Sequence, residues 1–262
     1  MKLRLPYLLL IGLLLVAFSL ARIYSRGQMD AEKNDFIMGT PVRVKVHGPN
    51  AHRLVTLAFN EIKRFDRLLS TFKPESEVSL LNKGAGLELS PETAECLKLA
   101  DEIFRLSGGA FNIRHSGKID LGGIGKGFAV EKARQLIMKS GAESGIIDMR
   151  SSIAVFGDRT WTVGVRHPLD KDKILGTIEL KDEESLSTSG NYERGQHIID
   201  PRKGRPADLC QSVTVVGTNA ATVDALSTAI FVLGPQHGLN VRALIVDKEG
   251  QIIDDNSGVK LR

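Results

Sequence analysis

Three stretches of the chain carry residue types that do chemistry. KIDLGGIGKGFAVEKA, from Lys118 to Ala133, sets Gly122, Gly123, Gly125 and Gly127 around Lys126, with Asp120 just ahead of them. Glycines of this kind permit positive φ and close backbone approach. A helix N-terminus after such a loop favours an anion. The spacing nevertheless matches neither a P-loop, which needs Gly-Lys followed by Ser or Thr, nor the GxGxxG dinucleotide fingerprint. A tight packing turn and a ligand-binding loop both remain open on this stretch alone. In TNAATVDALSTAIFVLG, Asp224 and Thr228 stand four residues apart, which on a helix puts a carboxylate and a hydroxyl on one face. Hard oxygen donors of that type suit Mg²⁺, although Asp near a helix start also simply complements the dipole. In HIIDPRKGRPA, His197 lies close to Asp200, a pairing with the chemistry for proton transfer and equally a structural one. Ser187, Thr188 and Ser189 lack a Gly-x-Ser-x-Gly frame, so no nucleophile elbow is present.

The elements that must position these groups follow from periodicity. Val42–Val46 alternates like a half-buried strand, whereas Leu54, Leu57, Ala58, Ile62, Phe65, Leu68 and Leu69 form a helical stripe. TFKPESEVSLLNKGAG reads as turn-rich. Ser90 and Pro91 open a second helix as N-cap and first residue. A third helix is expected from about Ala129 to Ser140, and a fourth in ATVDALSTAIFVLG, closing at Gly234. GIIDMRSSIAVFG, WTVGVRHP, KILGTIEL, SLSTSG and SVTVVG read as strands, and Arg242–Asp247 with Gln251–Ile253 as a closing hairpin. Strands in groups with helices between them indicate an α+β fold, with layered mixed or antiparallel sheets packed against helices.

At 262 residues the chain is long enough for a sizeable core. Its formal charge is +4, but Lys2 and Arg4 belong to an N-terminal leader, which leaves +2 on the remainder. Without a basic block interleaved with aromatics, no nucleic-acid partner is expected. The leader pairs a basic start with an apolar run from Leu5 to Leu20, an export signal. Residues 1–21 are read as a signal peptide, with Ser19 and Ala21 before the cleavage point, or as an uncleaved membrane anchor. Residues 22–35 are read as a tether and 36–262 as one domain. This places the bulk of the chain outside the cytoplasm, in the periplasm or on the outer face of the inner membrane. Cys96 and Cys210 read as isolated thiols, with a disulfide between them left open.

In order, MGT at Met38–Thr40, LLSTFKPESEVSLLN, GGAFN at Gly108–Asn112, DLGGIGKGFAVEKA, WTVGVRHP, TSGNYE, HIIDPRKGRPA and DALSTAIFVLG resemble the ApbE family of FAD:protein FMN transferases. The likeness runs from Phe36 onward. It implies a Mg²⁺-dependent enzyme that cleaves FAD and attaches FMN to a Ser or Thr of an exported or membrane redox subunit, releasing AMP. It also implies that Met38, Phe72, Ala110, Phe111, Asn112, Asp120, Lys126 and Ile198 line the FAD site. Mg²⁺ would be held by Asp224, Thr228 and the backbone carbonyl of Gly123, with His197 the candidate for proton transfer. A Mg²⁺-dependent FAD hydrolase and a non-enzymatic flavin-binding protein are the alternatives on the same fold. The chain departs from the family pattern in three respects. GAFN reaches Asp120 across only IRHSGKI, where the family has several tens of residues. Asn112 and Phe72 stand where Asp and Tyr are usual. DMRSSIAVFG replaces a Gly-Gly turn.

Overall fold

A computed structural model describes residues 11–17, 29–115, 117–170, 172–191 and 195–262. Most of the leader therefore lies outside the described residues, as do Tyr192, Glu193 and Arg194 of TSGNYE. Residues 11–17 are helical and exposed. Among the described residues no helix is long and apolar enough to cross a membrane.

The centre of the fold is an eight-stranded sheet in the order β1-β2-β5-β6-β9-β12-β13-β14, with every neighbouring pair antiparallel. Its strands are β1 (Asp30–Ile37), β2 (Thr40–His47), β5 (Ser144–Asp148), β6 (Ser152–Phe156), β9 (Ser185–Gly190), β12 (Cys210–Gly217), β13 (Arg242–Asp247) and β14 (Ile252–Asp255). On one face lie α1 (Ala51–Leu69), α4 (Gly125–Lys139) and α5 (Ala220–Leu233). The other face is covered by a three-stranded sheet of β7 (Trp161–Arg166), β8 (Ile174–Leu180) and β15 (Lys260–Leu261). This is the α+β layering that the strand and helix order implied.

Burial on both faces explains why the central strands read as continuous apolar runs. In β6, Ala154 and Phe156 enter the helix-side core while Ile153 and Val155 enter the core against β7 and β8. In β13, Ala243 and Ile245 face the helices, and Leu244 and Val246 the small sheet. Helix α1 buries Leu54, Ala58, Ile62, Phe65 and Leu69, with Leu57 and Leu68 packed at its margin. The Phe65 ring meets Phe128 of α4 edge-on at 5.3 Å.

Several boundaries differ from the sequence reading. Residues 30–35, assigned to a tether, form most of β1 and pair along β2, because one charged face of an edge strand can stay in water. TFKPESEVSLLNKGAG contains a short helix, α2 (Glu77–Asn82), whose N-cap Ser76 accepts the Ser79 N–H at 3.0 Å. Ser90 caps α3 (Pro91–Leu106) by accepting the Thr93 N–H, as its position before Pro91 indicated. Helix α4 starts at Gly125 rather than Ala129, so three of its first residues are the Gly-Lys-Gly of the glycine loop. Cys96 and Cys210 are both buried and free, and burial pushes each thiol up to about 12. Both therefore act as small apolar core groups at neutral pH.

The short link between Asn112 and Asp120 folds as a minimal hairpin, β3 (Arg114–His115) with β4 (Lys118–Ile119). Asn112 Oδ1 accepts the Arg114 N–H at 2.8 Å and starts that turn. Asn82 of α2 then clamps Ile119 from both sides. It accepts the Ile119 N–H at 2.7 Å and donates to its carbonyl at 2.8 Å, as a neighbouring strand would. A compact device thus delivers Asp120 to the glycine loop without the longer segment.

Candidate active site

Asp224 stands at the centre of the candidate site. It occupies the second turn of α5, only 4% exposed, on the side that faces α4 and β9. Its Oδ2 accepts the Gly127 backbone N–H at 2.8 Å. Its Oδ1 accepts from Ser187 Oγ at 2.8 Å and from Ser152 Oγ at 3.1 Å. All three donors are neutral, and among the described residues no Lys, Arg or His forms an ion pair with this carboxylate. A buried charge in that condition calls for a cation.

Thr228 is one turn further along α5, as the four-residue spacing implied, and its Oγ1 is 3.0 Å from Ser189 Oγ. The glycine loop comes to it from the other side. A Cβ on Gly123 would lie 3.2 Å from Thr228 Oγ1 and 3.1 Å from the Phe111 ring, so a side chain here would press both by a few tenths of an ångström. None of Gly122, Gly123 and Gly125 adopts positive φ, contrary to the expectation for the loop. Close approach is what requires glycine here, and most of all at Gly127. A Cβ there would be 2.3 Å from the Ala220 carbonyl and 2.5 Å from Asp224 Cβ. Gly127 lets α4 and α5 touch and presents its N–H to Asp224.

The Asp224 carboxylate and the Thr228 hydroxyl, with the backbone of Gly123 packed against Thr228, are oxygen donors with a single charge among them. Among the described residues no three His, Cys, Asp or Glu side chains cluster as a softer site would need. The set fits a hard divalent cation that keeps water and phosphate oxygens in its remaining positions.

The other expected residues divide into those gathered at the loop and those turned elsewhere. Met38 sits with Gly39 at the tip of the β1–β2 hairpin, both at positive φ (54° and 71°), the geometry of a two-residue primed turn. Its methyl would be 3.7 Å from a Cβ on Gly125. A bulky side chain in the left-handed region is uncommon, and it is held where it reaches the loop. Ala110 and Phe111 are both buried, and the Phe111 ring lies against Gly123. Ile198 is buried in the same core, next to the β10–β11 turn (Ile199–Asp200 and Arg205–Pro206). Lys126 reaches back to the Gly122 carbonyl at 3.4 Å, and Asp120 Oδ1 accepts the Gly122 N–H at 2.8 Å. The Asn112 amide oxygen is taken by its own turn. Phe72 is 94% exposed, held on the loop after α1. A 470 Å³ cavity lined by Thr71, Ser79, Asn82, Lys83, Lys118, Ile119 and Asp120 opens between that loop and the short hairpin.

His197 is exposed, and its ring bonds to the Gly195 carbonyl at 2.9 Å rather than to Asp224 or Thr228. A carbonyl only accepts, so Nδ1 carries the hydrogen in the neutral ring and Nε2 holds a free lone pair. Asp200 does not pair with His197. It accepts from Arg202 Nε and Nη2, each at 3.0 Å, and the Arg202 guanidinium holds its carboxyl down at about 2.

Sequence reasoning missed Ser152, Ser187 and Gly127. The signal for Ser187 was parity. Ser185, Ser187 and Ser189 alternate along β9 and so share the face that meets α5. Ser152 reaches the carboxylate because Arg150, at φ 65°, makes the left-handed turn where a glycine is usual. It missed as well a buried pair that joins α4 to α5. Glu131 accepts the Ala220 N–H at the start of α5 at 2.9 Å. Arg134 donates to Glu131 and to the Glu183 and Thr218 carbonyls.

With this geometry established, relatives are informative. The ApbE family model matches residues 38–116 and 114–248, nearly the whole described domain. The chain belongs to the ApbE family. A FAD:protein FMN transferase of Klebsiella pneumoniae is 25% identical over 83% of this chain and 89% of its own length. Another, from Rhodobacter capsulatus, is 34% identical over 53% of this chain, a match covering 29% of that protein. Among solved structures, the ApbE protein of Thermotoga maritima superposes with a TM-score of 0.79 at 26% identity, over 87% of this chain and 97% of that one. The Pseudomonas stutzeri flavinyl transferase ApbE shares the fold, with a TM-score of 0.72 at 21% identity over 85% and 93% of the two chains.

Proposed function

We propose that this ApbE-family chain is a Mg²⁺-dependent FAD:protein FMN transferase. The observation that carries this reading is the buried Asp224 carboxylate, met among the described residues only by neutral donors, beside Thr228 and the glycine loop. Asp224, Thr228 and the Gly123 carbonyl would hold Mg²⁺, which when bound neutralises charge on the transferring phosphoryl group. The FAD site would comprise Met38, Ala110, Phe111 and Ile198 as apolar wall, with Asp120, Lys126, Asn112 and Phe72 at its open side.

In the reaction the hydroxyl oxygen of an acceptor Ser or Thr bonds to the phosphorus of the FMN half. The pyrophosphate bond to that phosphorus breaks and its oxygen leaves with AMP. His197 takes the hydroxyl proton on Nε2, the nitrogen left free by the Gly195 hydrogen bond. Since the nucleophile belongs to the partner, the chain needs no triad of its own. The shortened link before Asp120 leaves the cavity beside Lys83 and Lys118 open. The apolar leader supports export, with the acceptor a redox subunit on the periplasmic side or in the inner membrane.

The test is to incubate the full chain with FAD, Mg²⁺ and a candidate redox subunit, then look for flavin fluorescence on the subunit after denaturing electrophoresis. A fluorescent subunit that disappears on mutation of its acceptor hydroxyl supports the reading. AMP release with no labelled subunit from any acceptor would instead mean hydrolysis and would overturn it.

A further inference from the structure

The hydroxyls around Thr228 have a fixed direction of donation, and it follows from counting protons. Ser227 Oγ lies 2.8 Å from the Asp224 backbone carbonyl, which only accepts, so the single Ser227 proton is committed there. In the 2.8 Å contact between Ser189 and Ser227, Ser189 must then be the donor. Its proton is now committed too. In the 3.0 Å contact between Thr228 and Ser189, Thr228 has to donate. The relay thus runs from Thr228 to Ser189 to Ser227 to the Asp224 carbonyl. Ser227 is fully buried, so water does not compete at its end.

We propose that Ser189 is a positioning residue that sets the Thr228 hydroxyl for cation binding, and that Ser227 anchors this relay. The inference rests on the Mg²⁺ reading above. A hydroxyl binds a cation through a lone pair, and a proton turned toward the cation opposes binding. Ser189 draws the Thr228 proton to the β9 side and leaves the Thr228 lone pairs for the cation. On the carboxylate, Ser152 donates to Oδ1 at 3.1 Å, Ser187 divides its one proton between Oδ1 and the Ser151 carbonyl, each at 2.8 Å, and Gly127 holds one side of Oδ2, which leaves the other lone pair of Oδ2 for a metal. The serines act through the ligands, as outer partners of metal ligands do in general.

The experiment measures Mn²⁺ retention by the full chain with FAD, from the free-ion electron paramagnetic resonance signal, together with metal-free melting temperature. Wild type is compared with Asp224→Ala, Ser189→Ala, Ser227→Ala, Thr228→Val and the Ser189→Ala/Thr228→Val pair. We expect Ser189→Ala to weaken Mn²⁺ binding about tenfold, and to have no further effect once Thr228 lacks its hydroxyl. Ser227→Ala, an independent variant in case Ser189→Ala folds poorly, should weaken binding in the same direction, because Ser189 is then free to donate into Thr228. Unchanged affinity in both serine variants, or an equal loss with and without the Thr228 hydroxyl, overturns the inference while wild-type retention still upholds the metal site. If wild type retains no more Mn²⁺ than Asp224→Ala, both readings fall.

Discussion

The backbone N–H of Gly127 donates to Asp224 Oδ2 at 2.8 Å, joining two motifs that stand 97 residues apart in the chain. This bond exists only because position 127 has no side chain. It ties the start of α4 to the second turn of α5, and so couples the glycine loop to the carboxylate it serves.

Gly127→Ala should therefore be severe. The added methyl would lie 2.3 Å from the Ala220 carbonyl, and a backbone atom has little room to yield. A loss of about 1–3 kcal/mol is expected from overpacking. A metal-free thermal melt would show it, and an unshifted melt would mean that α4 and α5 are less closely packed than described.

Asp224→Asn keeps the shape but removes the charge, and its amide NH₂ cannot accept the Gly127 N–H if its oxygen stays with Ser152 and Ser187. Mg²⁺-dependent AMP release from FAD should fall on the order of a hundredfold or more, given the loss of the one charged ligand. Release at the wild-type rate would remove Asp224 from the metal site.

The buried pair of α4 gives a stability prediction independent of any ligand. Arg134→Ala strands Glu131, which is only 4% exposed and caps α5 through the Ala220 N–H. Breaking such a pair from one side costs about 3–5 kcal/mol. Urea unfolding of the metal-free protein measures it. Because the cap supports the helix carrying Asp224 and Thr228, Mn²⁺ retention should weaken in parallel.

Acid should loosen the β10–β11 turn only well below neutral pH. The Arg202 guanidinium holds the Asp200 carboxyl at about 2 in the folded state, below its ordinary 3.8. A depressed folded value means that its contribution is fully present above about pH 4 and is lost as pH falls toward 2. The contribution is about 1–2 kcal/mol, with the half-exposed Arg202 screened by water. The stability gap between wild type and Asp200→Asn should be constant from pH 7 to 5 and close below pH 4. A gap that persists at pH 2 would mean that it does not come from this charge.

How much of this was legible in the sequence depended on the range of the forces involved. The α1 stripe, the Ser90-Pro91 start of α3 and the alternation of β2 are local patterns, and each folds as read. The Asp224/Thr228 spacing also gave the shared helix face correctly. What the sequence left open was set by contacts between distant segments. Gly127 matters because of Ala220, and Ser187 because a strand face meets α5. The β1 strand was missed because its exposed charges (Asp30, Glu32 and Lys33) look like a linker until β2 is seen beside it. The motif residues likewise gave no sign that the Asp120 and Asn112 side chains serve their own turns.

The central claim, Mg²⁺-dependent transfer of FMN from FAD to a protein hydroxyl, is tested most directly by stoichiometry. AMP released and flavin bound to a redox-subunit acceptor should be measured in one reaction, with and without Mg²⁺. The account predicts about one AMP for each labelled acceptor and neither product when the metal is chelated, as fits a single phosphoryl transfer. AMP accumulating with no flavin on the acceptor, or labelling that proceeds unchanged after chelation, would contradict it.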